Sequence, residues 1–442
     1  MSALPLTRRS ILAQAWPIML GQATVPLVGI VDTAVIGRTG DAAALAGVAL
    51  GGTIISFLFW SFGFLRMGMT GMTAQAHGGG DAGEVGALLA RGLAIGLGLG
   101  VVLAALQRLL IPAAFAVLAG GADIDAAARA YVSARFLGAP AALAVFAING
   151  WLLGLGRTRA ALALSVLMNL VNIAACALFV WHWDMGARGV GLGTACAEWI
   201  ALAAGVALVA PHLRTVADPA RLFDRVALRR LFAVNADIMV RTIALLTLFA
   251  WFTNAGARLG AETLAANQVL MQGVALVAFV LDGFAFTAEA RVGHAIGAGS
   301  RRDMLRAIRL TGEFSLVTAI AFAILLALAG GIAIPVLTTN AGVRAQAMAM
   351  LPFVVALPVI GMPAWLLDGV FIGATEGRSL RNAAILATGL YVATDLALRP
   401  LGDAGVWLAL LASYIFRAAA LGVYLPRLFR RVTSVRRPFP RA

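Results

Sequence analysis

Three clusters recur at one offset, 219 residues further along the chain. Ala76-x-Gly78-x-Gly80 returns as Ala295-x-Gly297-x-Gly299. Asn149-Gly150 with Gly154 returns as Asp368-Gly369 with Gly373, and Leu45-Ala46 returns as Leu264-Ala265. With 49 glycines in 442 residues, one match would carry little weight; three at a constant spacing require two related halves. The matched segments lie in or beside long apolar stretches, so the repeating unit is a set of membrane helices, the arrangement of secondary transporters.

Hydrophobic residues make up 61% of the chain and charged residues 12%, which no soluble domain of this length shows. The net charge is +14, and all 34 basic residues are arginine. Most of these arginines sit in short gaps between apolar runs, which points to membrane topology rather than nucleic acid. Cys176 and Cys196 both fall inside apolar stretches and read as small buried side chains. Residues 10–36 follow Arg8-Arg9, are too long for a signal core, and contain Gln14, Pro17 and Asp32. They are kept as a first helix.

A membrane span needs about 20 apolar residues. Hydropathy places twelve: 11–36, 44–76, 86–111, 128–154, 159–181, 187–210, 231–257, 263–296, 304–335, 344–374, 381–398 and 403–429. The expected fold is an all-α membrane protein with two six-helix lobes. Because six is even, the halves share one orientation and are related by a parallel pseudo-twofold axis. The expected organisation is an N-lobe at 1–212, a linker at 213–229, a C-lobe at 230–429 and a basic tail at 430–442. One side collects most of the arginines, including Arg8, Arg9, Arg91, Arg157, Arg159, the run Arg221 to Arg230, Arg301, Arg302 and the tail. By the positive-inside rule that side is cytoplasmic and holds both termini, with the chain in a bacterial inner membrane. The linker alternates charge with Leu and Phe and reads partly as an amphipathic surface helix.

Ionisable residues at membrane depth cost about 2.5–3.5 kcal/mol on insertion scales, so each is a functional candidate. Asp32 lies in Gly29-Ile30-Val31-Asp32-Thr33, with no basic residue closer in sequence than Arg38; a solvated interfacial carboxylate is its plain alternative. Pro17 and Pro26 share its helix and can bend it. In the fifth span Asn172 and Cys176 stand four apart on one face, with Asn169 beside Asn172. Such amides, with Asn149 in the fourth span, either join helices or line a wet cavity. Methionines including Met67 and Met168 suit a pliable apolar cavity, although lipid-facing or core Met is commoner.

The second half is more charged. Asp237 and Arg241 are i, i+4, so a local ion pair is the simplest reading. The eighth span carries Asp282, Glu289 and Arg291; the last two face different ways and need separate partners. Asp368 holds the repeat position of Asn149 and is the second candidate for a coupling or substrate site. Asp395 lies in the eleventh span, and Glu198 and Arg66 are a possible cross-helix pair. The four histidines show no metal-ligand spacing, and no Walker A loop, G-x-S-x-G elbow or H-E-x-x-H motif occurs. Neither an enzyme, a resident cofactor nor a metal is expected.

Several blocks together resemble the DinF branch of the multidrug and toxic compound extrusion (MATE) transporters. They are Leu65-Arg66-Met67 with Thr70 to Gln75, Asn235-x-Asp237-Ile238-x-x-Arg241, Leu281-Asp282-Gly283-Phe284 with Glu289-Ala290, and Leu367 to Thr375 with Arg381-Asn382. The resemblance spans both halves. It implies two six-helix lobes in a V and export driven by inward proton or sodium flow. It makes Asp32 the proton-coupling residue and Pro17 the family's first-helix proline. Asn149 and Asn172 become N-lobe cavity amides, and Asp368 matches a tenth-helix acid. Where many relatives carry an acid four residues after the fifth-helix Asn, this chain has Cys176.

The function expected is cation antiport, with the proton ahead of sodium, that exports amphipathic or cationic organic compounds by alternating access. The partners expected are a small organic substrate and the bilayer, with no nucleic acid and a monomeric chain. A lipid-linked precursor flippase of the same superfamily is the alternative. Such flippases often carry extra helices and a strongly cationic cavity, against twelve spans and few arginines at depth here.

Overall fold

The protein is described by a computed structural model over residues 6–117, 121–213 and 219–434. Among the described residues it is helical throughout, with no strand. The first span is α1 (Arg8–Ala23) with α2 (Val25–Gly37), and the second is α3 (Ala42–Ser61) with α4 (Phe64–Gly78). Then come α5 (Ala82–Val117), the pair α6 (Ala122–Phe136) and α7 (Ala139–Gly154), α8 (Thr158–Ala177) and α9 (Gly186–Leu213). The second half is α10 (Arg225–Arg258), α11 (Ala261–Gly297), α12 (Arg301–Leu337), α13 (Ala341–Gly373), α14 (Gly377–Leu398) and α15 (Asp403–Ser434). Among the described residues, eleven spans are long and apolar enough to cross a membrane. Counted as one broken span, the pair α6–α7, bent by 53° at Leu137–Gly138, brings the number to twelve.

The 219-residue repeat is a repeat of packing. A methyl group on Gly150 would lie 2.3 Å from the Arg66 carbonyl oxygen, and one on Gly154 2.6 Å from that of Thr70. In the second half, Gly369 meets the Ala285 carbonyl oxygen at 2.2 Å and Gly373 that of Glu289 at 2.3 Å. All four pairs keep the offset. Each half therefore crosses its second and fourth spans through a small-x-x-x-small stripe that admits no side chain. The helix ends repeat too. Gly80 (φ 76°) and Gly299 (φ 66°) close α4 and α11, with Asp81 N–H donating to Ala76 O and Ser300 N–H to Ala295 O. This is the Schellman cap, which requires a left-handed residue.

Among the described residues, one compact unit is Leu20–His77 with Asp81–Arg229. The other is residues 6–19 and Gly78–Gly80 with residues 230–434. The division differs from the expected boundaries at the front of the chain, because the start of α1 packs with the second half. Met19 Cγ fills the space at Gly283, Gln14 Oε1 accepts from Arg291 Nε at 2.6 Å, and Arg8 reaches Glu313 at 3.1 Å.

The linker also departs from expectation. Among its described residues it holds one 3-10 turn, Pro219–Phe223, and its helical part, the charged run from Arg225, is the start of α10 rather than a separate surface helix. Buried Arg91 holds that turn: it pairs with Glu84 at 2.7 Å and donates to the carbonyls of Arg221 and Leu222. Residues 214–218 of the linker and 435–442 of the basic tail lie outside the described residues.

Candidate functional site

Asp32 is 3% exposed, deep in the first unit. Three helices, α6, α8 and α9, bring its neighbours to it, and two glycines on α9 allow the approach. A methyl on Gly191 would sit 2.5 Å from the Tyr131 carbonyl on α6; one on Gly193 would sit 2.6 Å from Cys176 Sγ on α8. Side-chain-free positions on α9 thus draw α6 and α8 in around α2. A π-helical turn, Leu178–His182, follows α8, and its Trp181 donates to the Val35 carbonyl at 3.0 Å, fixing the end of α2.

The partners of Asp32 are neutral. Tyr131 Oη donates to Oδ2 at 3.1 Å, while Thr194 Oγ1 and Cys176 Sγ reach Oδ1 at 3.4 and 3.7 Å. Asn172 Nδ2 donates to Thr194 Oγ1 at 2.9 Å and to Cys176 Sγ at 3.4 Å. Thr194 and Cys176 share a second acceptor, the Val190 carbonyl, at 3.1 and 3.5 Å. When Asp32 carries a proton, both donors can turn to that carbonyl and none is stranded, so the cluster can hold either form of the acid.

Of the residues expected to line a cavity, the structure joins only Asn172 and Cys176 to Asp32 by hydrogen bonds. Asn169 Nδ2 donates back to Ser165 O on its own helix at 2.9 Å. Met67, Met168 and Asn149 are half-buried, and Asn149 Oδ1 is buried without a hydrogen-bond partner. A cavity of about 440 Å³ in this unit is lined by other, apolar residues, among them Phe57, Ile111, Val132 and Phe136. The bend expected from Pro17 and Pro26 takes another form. Pro17 sits inside an unbroken α1; the interruption falls at Thr24, and Pro26 stands in the first turn of α2, where proline fits a helix start.

In the second unit three acids of the spans, Asp368, Asp237 and Asp395, meet cations, whereas buried Asp403 accepts only from amides, Asn267 Nδ2 at 2.8 Å and Gln346 Nε2 at 2.7 Å. Arg241 pairs with Asp368, and Arg417 Nε lies 3.9 Å from the same carboxylate. Asp237 takes Arg381 at 2.6 Å, so the local Asp237–Arg241 pair expected from spacing is replaced by two cross-helix pairs. Asp395 accepts from Trp251 Nε1 at 2.9 Å and pairs with Arg258 at 3.3 Å. Glu289 is fully buried and Asp282 half-buried. Glu198 pairs with Arg135 at 2.9 Å, not with Arg66, so a buried arginine stands at depth beside Asp32's neighbours.

A family model described as MatE matches residues 17–178 and 238–396. DNA damage-inducible protein F of Escherichia coli (strain K12) is 37% identical over 422 residues, 95% of this chain and 92% of the relative. The chain belongs to the MATE family, in its DinF branch. MATE proteins are membrane transporters, not enzymes, and this one is a multi-pass membrane protein with multidrug-transporter relatives. Multidrug resistance protein PmpM of Pseudomonas aeruginosa is 28% identical over 319 residues, 68% of this MATE chain and 66% of that protein. The Vibrio cholerae MATE transporter VcmN in its bent form shares the fold, with a TM-score of 0.87 at 17% identity over 96% of this chain and 97% of that one.

Sequence reasoning missed Tyr131, Thr194 and Arg135 in this MATE site. Tyr131 and Arg135 are one turn apart on α6, as Thr194 and Glu198 are on α9. The i, i+4 spacing of an acid or base with a hydroxyl on each helix was a usable signal.

Proposed function

We propose that this MATE protein exports amphipathic or cationic organic compounds in exchange for protons, with Asp32 as the proton-carrying group. The observation that supports this reading is the ring of neutral donors around a buried carboxyl, two of them with the Val190 carbonyl as a second acceptor. A carboxyl so placed gains or loses a proton without leaving a buried donor unsatisfied. Arginine distribution supports a bacterial inner membrane with both termini cytoplasmic. Asn172 Oδ1, buried and without a hydrogen-bond partner, is an oxygen that favours sodium as the second candidate ion. Reconstitution into proteoliposomes with an imposed proton or sodium gradient and a panel of cationic dyes tests both. Asp32→Asn is expected to abolish proton-driven export and leave membrane insertion intact. Parental transport by that variant would end the proton-site reading.

A further inference from the structure

The Arg135–Glu198 pair sits one helical turn from the Asp32 cluster on both of its helices. Tyr131, which donates to Asp32, is i−4 to Arg135 on α6; Thr194, which reaches Asp32, is i−4 to Glu198 on α9. Both side chains of the pair are 7% exposed. The pair is incompletely satisfied: Arg135 Nη1 and Glu198 Oε2 are buried with no hydrogen-bond partner. Buried ion pairs normally saturate such atoms, because each unmatched one carries its full desolvation cost.

The charged and titratable groups of this region can be named element by element. Helix α2 supplies Asp32, α6 supplies Tyr131 and Arg135, α8 supplies Cys176, and α9 supplies Glu198. From α3 the ring of Phe59 faces the guanidinium at 5.3 Å. The cluster therefore holds two carboxyls and one guanidinium. With both acids ionised it carries a net negative charge in an apolar interior; with one proton it is neutral. Neutrality is strongly favoured at such depth.

We propose that Asp32 and Glu198 form one titrating unit around Arg135, which takes up a single proton and in which Glu198 and Arg135 are positioning residues that set the pH at which Asp32 is loaded. The inference rests on the reading of Asp32 as the proton site. On loading, an O–H bond forms on one of the two carboxyls and the guanidinium neutralises the other. On release that bond breaks, and Nη1, which is not engaged by Glu198, is the donor able to turn to Asp32. Because the two acids share one cation, their titration belongs to the unit rather than to either residue.

A bracing role is the competing account. Trp199 Nε1 donates to the Leu137 carbonyl at 3.0 Å at the α6–α7 bend, and Glu198 Oε2 lies against Gly138. The two accounts separate by titration. Infrared titration of the purified full-length protein in detergent follows the protonated-carboxyl band of the parent, Asp32→Asn, Glu198→Gln and the double variant Arg135→Gln/Glu198→Gln; transport against pH is measured in proteoliposomes. Glu198→Gln removes one acid and leaves the cation, so Asp32 alone already gives neutrality. Its protonation midpoint and its transport profile are expected to move to lower pH by roughly 1–3 units. The double variant, which also removes the cation, is expected to move back toward or above the parent. An unshifted midpoint in Glu198→Gln, with only lower thermal stability, overturns the proposal and assigns the pair to the bend. A parent with no band that disappears in Asp32→Asn overturns the Asp32 reading itself; a parental band lost in Asp32→Asn but unshifted in Glu198→Gln overturns the shared unit alone.

Discussion

The two halves share their packing and differ in their chemistry. At the 219-residue offset, Gly150 and Gly154 return as Gly369 and Gly373, each against a backbone carbonyl of the partnering span. The polar positions do not return in kind. Asp32 corresponds to Trp251, Cys176 to Asp395, and Glu198 to Arg417. The contact between the first and fifth spans of a half survives with its roles exchanged: Cys176 Sγ reaches Asp32 in one half, and Trp251 Nε1 donates to Asp395 in the other. In the first half the acid of this contact has neutral partners, whereas its counterpart in the second half also meets Arg258. Duplicated backbone crossings are held by sterics, which tolerate no change at a glycine. Buried charges need only a partner somewhere, so their sites can diverge.

If that contrast is right, Asp32 and the cation-paired acids of the second half fail differently when neutralised. Asp32→Asn is expected to cut proton-driven transport by about 100-fold or more, the scale of a lost proton-transfer group, with the midpoint of thermal unfolding unchanged. Asp368→Asn is expected to destabilise by about 3–5 kcal/mol, because it strands the buried guanidinium of Arg241. The double variant Asp368→Asn/Arg241→Gln should then be no worse than the single one, as a thermal-shift double-mutant cycle would read. Full stability with lost transport in Asp368→Asn would erase the contrast and return that acid to a coupling role.

The shared packing predicts symmetry at a smaller scale. Gly150→Ala and Gly369→Ala should each cost about 1–3 kcal/mol through overpacking at the spans' crossing. Unequal losses in detergent melts would show that one crossing is looser than its repeat. The smallest effect lies at a mismatch within the repeat. Gly156 (φ 70°) ends α7, and its counterpart Thr375 (φ 55°) ends α13 in the same left-handed cap. A β-branched residue is strained there, so Thr375→Gly should raise stability by about 1 kcal/mol, less what the Arg230 hydrogen bond to Thr375 contributes.

Helices and their duplication were legible because hydropathy and glycine caps are local. Asp32 was legible because an uncompensated intramembrane acid is rare. Its partners were not: Tyr131 and Thr194 are ordinary residue types, 99 and 162 positions away, and only tertiary packing selects them. Charge pairing failed for a related reason. Spacing within one helix joins Asp237 to Arg241, but the interior offers Arg381 and Asp368 at better geometry, and a local i, i+4 pair contributes too little to compete. The offset itself carried more than three clusters: extended along the chain, it also aligns Gly156 with Thr375 and Cys176 with Asp395.

The division of α1 bears on how this polypeptide can be taken apart. A cut between residues 213 and 219 looks natural from the repeat, yet it leaves the second fragment without the segment that ends at Met19. That fragment would expose the notch at Gly283 and leave Arg291 without Gln14. The first fragment carries the missing piece as an N-terminal arm. Fragment complementation should therefore work for the two pieces produced together, while the second piece alone should be the one that quality-control proteases remove.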